Sequence, residues 1–414
     1  MRKNTIEIMA PAGGFDSLIA AIQGGANSVY FGIEQLNMRA RATMNFVIDD
    51  LEEIVSICKA HQVRTYITLN TIIYDHDLNL VKKIVDRAKA VGITAIIASD
   101  QAVISYAPGV GMAVHISTQL NVTNIETVKF YAHFADTIVL ARELSLTQVK
   151  KIVDTIAAEQ IKGPSGQLIA IEIFVHGALC MAVSGKCYLS LHTHNASANR
   201  GACIQNCRRT YSVTDLEEGH ELALDNEYIM SAKDLCTIDF LDEVIDSGVS
   251  VLKIEGRGKG PEYVRTVTEC YRQAADACLD GSYTLEKALH WKAKLEEVYH
   301  RGFWSGYYLG QELGEWTNAS GSKATLQKVF LGKGNNYFSK IGVAEFLISS
   351  SGLKVGDRVL ITGPSTGAIE TVIEELHSHE GSVNSVAKGN LCSFKLDTPI
   401  RPSDKLYKLI STVS

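Results

Sequence analysis

Between residue 6 and about residue 280, short apolar runs alternate with amphipathic stretches. The apolar runs are 6–9, 28–32, 64–69, 95–98, 112–116, 137–140, 168–175 and 249–254. Each is four to eight residues long and rich in Val and Ile, as in strands buried on both faces of a parallel sheet. The segments between them carry helical periodicity. Residues 15–23 set Leu18, Ile19 and Ile22 near one face, and 51–60, 80–90, 125–132, 146–156 and 263–278 behave alike. Asp16-Ser17 and Ser145 read as N-caps of their helices.

Eight strands with intervening helices predict an α/β chain folded as a (β/α)8 TIM-like barrel over residues 1–300. An open doubly wound sheet is the alternative, and a count of eight favours closure. The gap between the seventh and eighth strands, 176–248, is far too long for a barrel loop and reads as an insertion. A further helical stretch at 285–300 leads into a linker, 301–322, rich in Gly, Trp and Tyr. Residues 323–414 change character: alternating runs at 339–347, 358–362, 368–373 and 391–396, separated by Gly turns, predict a small antiparallel β-barrel domain.

Composition narrows the class. The chain has 414 residues, 46% hydrophobic and 21% charged, with a formal charge of −6. That disfavours disorder, and it disfavours a polybasic protein that coats nucleic acid by charge alone. No apolar run approaches the ~18 residues needed to span a bilayer. The N-terminus enters a strand-like pattern at once without a signal-peptide core, so a cytoplasmic protein with no membrane partner is expected. The charge is uneven: residues 323–414 hold 11 Lys/Arg against 8 Asp/Glu, a sign that suits contact with a polyanion.

In a barrel of this kind chemistry sits at the C-terminal ends of the strands. Polar tips there include Thr68-Leu69-Asn70, His115 through Gln119, Arg142-Glu143, His176-Gly177 and Lys253-Ile254-Glu255-Gly256-Arg257. Arg142, Glu143, Lys253, Glu255 and Arg257 are the catalytic candidates, since charges beside buried strands cost free energy unless paired or functional. Arg39 and Arg41 lie in another loop on the same rim and, with His115, Gln119 and His176, are substrate-binding candidates. Several arginines around one pocket suit an anionic ligand, a carboxylate or phosphate; mutual salt bridging across the rim is the alternative.

The nine cysteines do not suit a disulfide framework, being odd in number in a chain without an export signal. Four of them, Cys180, Cys187, Cys203 and Cys207, fall inside the insertion with spacing C-x6-C-x15-C-x3-C. Four soft thiolates suit tetrahedral zinc or an iron–sulfur cluster, and the six-residue gap departs from the C-x2-4-C of zinc sites. Gly185 and Gly201, each two residues before a cysteine, would allow tight turns that aim amides at sulfur. Arg200, Arg208 and Arg209 would balance thiolate charge or hold an anionic partner. A cysteine protease is the competing use, with His176, His192 or His194 as base; it leaves three cysteines idle.

The run Glu172-x-Phe174-x-x-Gly177-Ala-Leu-Cys180-x4-Gly185-x-Cys187-x-Leu189-Ser190 resembles the signature of the peptidase U32 family. The resemblance extends through Met9–Gly13, Gly25–Gly32, Ser117-Thr118-Gln119, 231–235 and 253–257. It implies oxygen-independent hydroxylases carrying a [4Fe–4S] cluster, in three branches: tRNA wobble uridine, ribosomal RNA cytidine and a ubiquinone precursor. It also implies prephenate as a linked metabolite, a small dicarboxylate, and it allows action in a heteromer of family members. One barrel with one β-rich C-terminal domain is most similar to the tRNA branch, with 5-hydroxyuridine in the anticodon loop as product. Carried over, the cluster ligands are Cys180, Cys187, Cys203 and Cys207, while Cys236, a ligand position in some ubiquinone relatives, reads here as a structural thiol. A collagenase-like peptidase is the alternative activity.

Overall fold

The computed structural model of the chain describes residues 6–41, 45–214, 216–217, 221–222, 228–310, 313–319 and 321–412. The start of the chain through Thr5, and with it most of the N-terminal reading, lies outside the described residues, as do parts of the insertion and linker. Seven strands pair in parallel and in sequence order: β1 (Glu7–Pro11), β2 (Ser28–Gly32), β3 (Arg64–Leu69), β4 (Ala95–Ala98), β5 (Val114–Ile116), β6 (Thr137–Val139) and β7 (Ala170–Ala178). The chain then forms a short ladder of β8 (Val213–Thr214) with β9 (Glu221–Leu222), followed by β10 (Asp234–Cys236). β11 (Val251–Ile254) pairs in parallel with both β7 and β1, which closes the eight-stranded barrel.

The helices α1 (Phe15–Gln23), α2 (Leu51–Ala60), α3 (Leu78–Val91), α4 (Gln101–Gly109), α5 (Ile125–Tyr131) and α6 (Leu146–Ala158) follow the first six strands. α7 (Leu189–His194) belongs to the insertion; α8 (Leu241–Asp246) precedes β11, and α9 (Pro261–Asp280) and α10 (Leu285–Glu297) follow it. α4 was not legible in the periodicity, because Pro108 lies inside it and Asp100 caps it from the preceding strand end, accepting from Ala102 N at 2.9 Å. The cap at Ser145 is present as a capping box with Gln148. The cap expected at Asp16-Ser17 is not: Gly14 is the N-cap and both residues lie inside α1.

The main apolar core lies between barrel wall and helices, where Ile8, Val29, Phe31, Ile67, Ile96 and Leu252 are fully covered. A small second set, including Met9, Tyr30, Tyr66 and Ile97, fills the barrel interior. β7 overshoots the barrel, so His176-Gly177-Ala178 are strand and not insertion, and β10 returns antiparallel along that overshoot. Phe303–Trp304 of the linker adds in parallel to β10. The insertion is thereby stapled to the barrel rim at its start and its end.

The C-terminal region is a separate antiparallel sheet built on the long strand Leu326–Phe338, which pairs with Val343–Ile348 and Lys405–Ser411. Its hydrogen-bonded order among the described residues runs open, from Gly367–Val372 to Gly381–Ser382. Its own core includes Leu331, Val359, Ile361 and Leu406, with Phe346 stacked on Phe394 at 5.3 Å. It docks on the flank of the barrel. The Gln23 amide on α1 donates to Thr366 O at 2.9 Å and accepts from Ala368 N at 3.1 Å. Ion pairs Lys328–Glu262 and Arg358–Glu297 add to the seam.

Candidate active site at the barrel mouth

The charged tips of β11 project into the barrel, as strand alternation requires of Lys253, Glu255 and Arg257. Lys253 Nζ lies 2.6 Å from Glu172 Oε1, with both side chains almost wholly buried. Glu172 is on β7, and its second oxygen stands 3.7 Å from His115 Nδ1, too far for a hydrogen bond; among the described residues neither atom has another partner. Burial pushes the Glu172 carboxyl up, but the Lys253 ammonium and the neighbouring His115 hold it below its ordinary value. Nearer the opening, Arg39 Nη2 reaches Glu255 Oε1 at 2.7 Å, and Tyr30 OH donates to Ile254 O at 2.8 Å. Arg257 donates to Thr68 Oγ1 at 2.9 Å and Asn37 Oδ1 at 3.1 Å, and Arg142 to Ala178 O at 2.9 Å while stacking on Phe174.

Burial works against ionised Glu255, yet Arg39, Arg142 and Arg257 hold its carboxyl down from 4.5 to about 2. A folded-state value below the unfolded one means that ionised Glu255 stabilises the fold fully above about pH 4.5, and the contribution fades as pH falls towards 2. Melting curves of the native chain and Glu255→Gln should therefore differ by a constant amount near neutrality and converge in acid. A difference that grows in acid contradicts this.

The cations outnumber the carboxylates. Glu255 matches Arg39 and Glu172 matches Lys253, which leaves Arg142 and Arg257 without an acidic partner at hydrogen-bond distance among the described residues. Their Nε atoms are buried and unpartnered among the same residues.

Above these groups the insertion closes over the mouth. Cys180, Cys187, Cys203 and Cys207 all line one cavity of about 140 Å³ together with Arg39, Arg142, Lys253, Glu255 and Arg257. None of the four is in a disulfide; Cys180 is exposed and the other three are half-buried. Burial pushes the Cys207 thiol up, Arg208 beside it pulls it down, and the thiols of Cys180, Cys203 and Cys187 push it up again, so the four groups sense one another. Among the described residues, no three His, Cys, Asp or Glu side chains are gathered as a single-ion site. A lone tetrahedral ion, about 2.3 Å from each sulfur, needs thiols packed around one point. These four line a shared space.

Gly201 holds this arrangement against the rim. Its φ is +76°, and a Cβ there would stand 2.2 Å from Asn37 O, on the residue that anchors Arg257. Its amide donates to Ala198 O and is not aimed at sulfur. Gly185 also has positive φ and abuts Gln119 Oε1. Gly201→Ala is expected to destabilise the chain by about 1–3 kcal/mol through left-handed strain plus overpacking. Thermal melting measures it; an unchanged midpoint contradicts the close approach.

Several rim candidates go elsewhere. A register shift between β7 and β11 at Lys253/Ile254 adds one residue to β7, which moves His176 to the outer face. There it packs against Tyr263, Tyr271 and Phe303, and burial with the nearby His300 pushes it down to about 3. His115 lies beneath the cavity against Tyr66, while Gln119 does line it. Arg200 pairs with Asp77 at 2.6 Å and stacks on Tyr74. Arg208 clamps Leu179 O and Ala232 O, both at 2.6 Å, and so ties the insertion to its return strand. Arg41, Arg209 and Glu143 are exposed and outside the cavity lining. Cys236 is buried beneath α9, its thiol raised to about 12 by burial, and it does not reach the cavity. Glu172, Asn37 and Thr68 were not singled out from sequence as site residues. Glu172 did leave a signal, as the single charge in the apolar run 168–175. No residue of the C-terminal sheet lines the cavity, and its Lys328, Arg358 and Lys408 are engaged in ion pairs.

A family model described as peptidase family U32 matches residues 13–318. A Porphyromonas gingivalis protein named "Collagenase" is 54% identical over 408 residues, covering 99% of each chain. A Bacillus subtilis protein named "tRNA hydroxylation protein P1" is 32% identical, covering 97% of this chain and 94% of its own. An Escherichia coli protein named "23S rRNA 5-hydroxycytidine C2501 synthase" is 33% identical over 75% of this chain but only 46% of its own.

Proposed function

The chain belongs to peptidase family U32, and on that premise we propose that it is an iron–sulfur RNA hydroxylase acting at C5 of the tRNA wobble uridine. The observation that carries this reading is the meeting of four insertion cysteines with Arg39, Arg142, Lys253, Glu255 and Arg257 around one cavity. The near full-length match to a tRNA hydroxylation protein, against 46% coverage of the ribosomal RNA enzyme, supports tRNA as substrate.

Cys180, Cys187, Cys203 and Cys207, four soft thiol ligands lining one cavity, would hold a [4Fe–4S] cluster. When bound, the cluster supplies the electron chemistry that no side chain can. The chain's own residues bind and orient. Arg142 and Arg257, with no acidic partner at hydrogen-bond distance among the described residues, would take the carboxylates of a small dianion such as prephenate. Tyr30 and Phe174 line the cavity beneath the Lys253 ammonium and give its floor an apolar, aromatic character. Glu172 fixes the position of Lys253 through their ion pair and so sets a cation at the cavity floor. The uridine must leave its stack to enter, and an anticodon loop presents it unpaired. Among the described residues no helix is long and apolar enough to cross a membrane, which fits a cytoplasmic setting beside tRNA.

Two measurements test the reading. Protein purified without oxygen should contain iron and acid-labile sulfide; stoichiometric zinc without sulfide refutes the cofactor. Mass spectrometry of tRNA from a deletion strain should show 5-hydroxyuridine derivatives lost, and unchanged levels in a strain with no second relative refute the substrate.

The 54% identity to a protein named "Collagenase" favours a second reading, a U32-type peptidase. The geometry supplies it poorly. Among the described residues no histidine lines the cavity with the cysteines, His176 is turned to the outer face, and His192 and His194 are exposed on α7.

A further inference from the structure

Beside the mouth lies a second, aromatic groove. Trp304, Tyr307 and Trp316, all from the linker, form one side of it, and Arg142, Cys180 and Ala182 form the other. Those last three also line the mouth cavity, so the two spaces share a wall at the first cysteine. Trp304 and Tyr307 meet edge to face at 5.3 Å, which fixes the floor. Trp316 is 39% exposed, yet it is not on a loose loop. Its backbone bridges Ala232, and on either side Lys233 N donates to Glu315 O at 2.9 Å and Thr317 N to Ser231 O at 2.8 Å. A large flat ring is therefore held open to solvent by a rigid backbone. One donor in the groove wall, Trp304 Nε1, is buried with no acceptor among the described residues.

A planar, uncharged ring with acceptor atoms on its edge satisfies both features: it stacks on an indole face and accepts from a buried N–H group. A nucleobase is such a ring, and a target base entering the adjoining mouth brings its chain neighbours within a nucleotide's reach. We propose that this groove holds the nucleobase next to the target uridine, stacked on Trp316, so that the linker reads the flanking nucleotide while the barrel modifies its neighbour. The inference rests on the RNA reading above.

The test uses full-length protein and two anticodon stem-loop RNAs, with 2-aminopurine immediately 5′ or immediately 3′ to the target uridine. One of the two should lose fluorescence on binding the native chain. Trp316→Ala should restore that fluorescence and weaken binding roughly tenfold, whereas Trp316→Phe should stay within a few-fold of native. Circular dichroism checks that both variants fold. RNA bound by the native chain with no quenching at either position, or bound equally well by Trp316→Ala, overturns the groove and leaves the RNA reading standing. A native chain that binds neither stem-loop overturns both.

Discussion

Serine in place of Cys203 is expected to abolish iron–sulfur incorporation and tRNA hydroxylation together, and serine at Cys180 to do the same to the same extent. Loss of hydrogen-bonding support around a metal centre typically costs ten- to a hundredfold, so loss of a direct ligand should exceed about a hundredfold in activity. The equality of the two variants is the informative part. Cys180 is exposed and Cys203 half-buried, and they lie 23 positions apart in sequence, but they line the same cavity. A cluster needs both, whereas a cysteine protease needs one nucleophile and tolerates loss of the others. Visible absorbance and iron content provide readouts independent of turnover. A Cys203→Ser chain that keeps its colour, or a Cys180→Ser chain that loses only peptide cleavage, contradicts the cluster assignment.

Glu172→Ala should be the most destabilising single change in the barrel, at about 3–5 kcal/mol. It leaves the Lys253 ammonium buried, 5% exposed, without the carboxylate now 2.6 Å away. Lys253→Ala should cost a similar amount for the mirror-image reason. The double change to apolar residues of similar volume should cost much less than the two singles added, because no uncompensated charge then remains. Denaturant midpoints for the four chains measure the coupling. Additive losses would show that the pair contributes little, and would remove the case for a Lys253 positioned by Glu172 at the cavity floor.

The barrel was legible because periodicity is local. Val and Ile runs mark strands whatever lies across the sheet, and each of the eight is present, with ends shifted by up to three residues. The strands at Leu326–Phe338 and Lys405–Ser411 were missed. The first carries Gly332 and Gly334 and is largely half-exposed, with irregular pairing at those glycines, so its alternation is broken. The four cysteines were legible from type and spacing. His176 was not, since its tip position was right and its face wrong: one added residue in β7 reversed its direction. The hydrogen-bond partners of Arg200 and Arg208 were not legible, because Asp77 and the carbonyls of Leu179 and Ala232 lie 123, 29 and 24 positions away.

The sequence by itself determined the repeating strand and helix order, the interruption after the seventh strand and the supply of four thiols and several cations, because each depends only on residue type and short-range spacing. Tertiary structure alone decided which of those groups share a space. Barrel closure brings β11 against β7 and β1, so Lys253 finds Glu172 across 81 positions and Glu255 finds Arg39 across 216. A charge is satisfied by whatever the fold brings within about 3 Å, and that distance is set by closure and strand register, which no local pattern encodes.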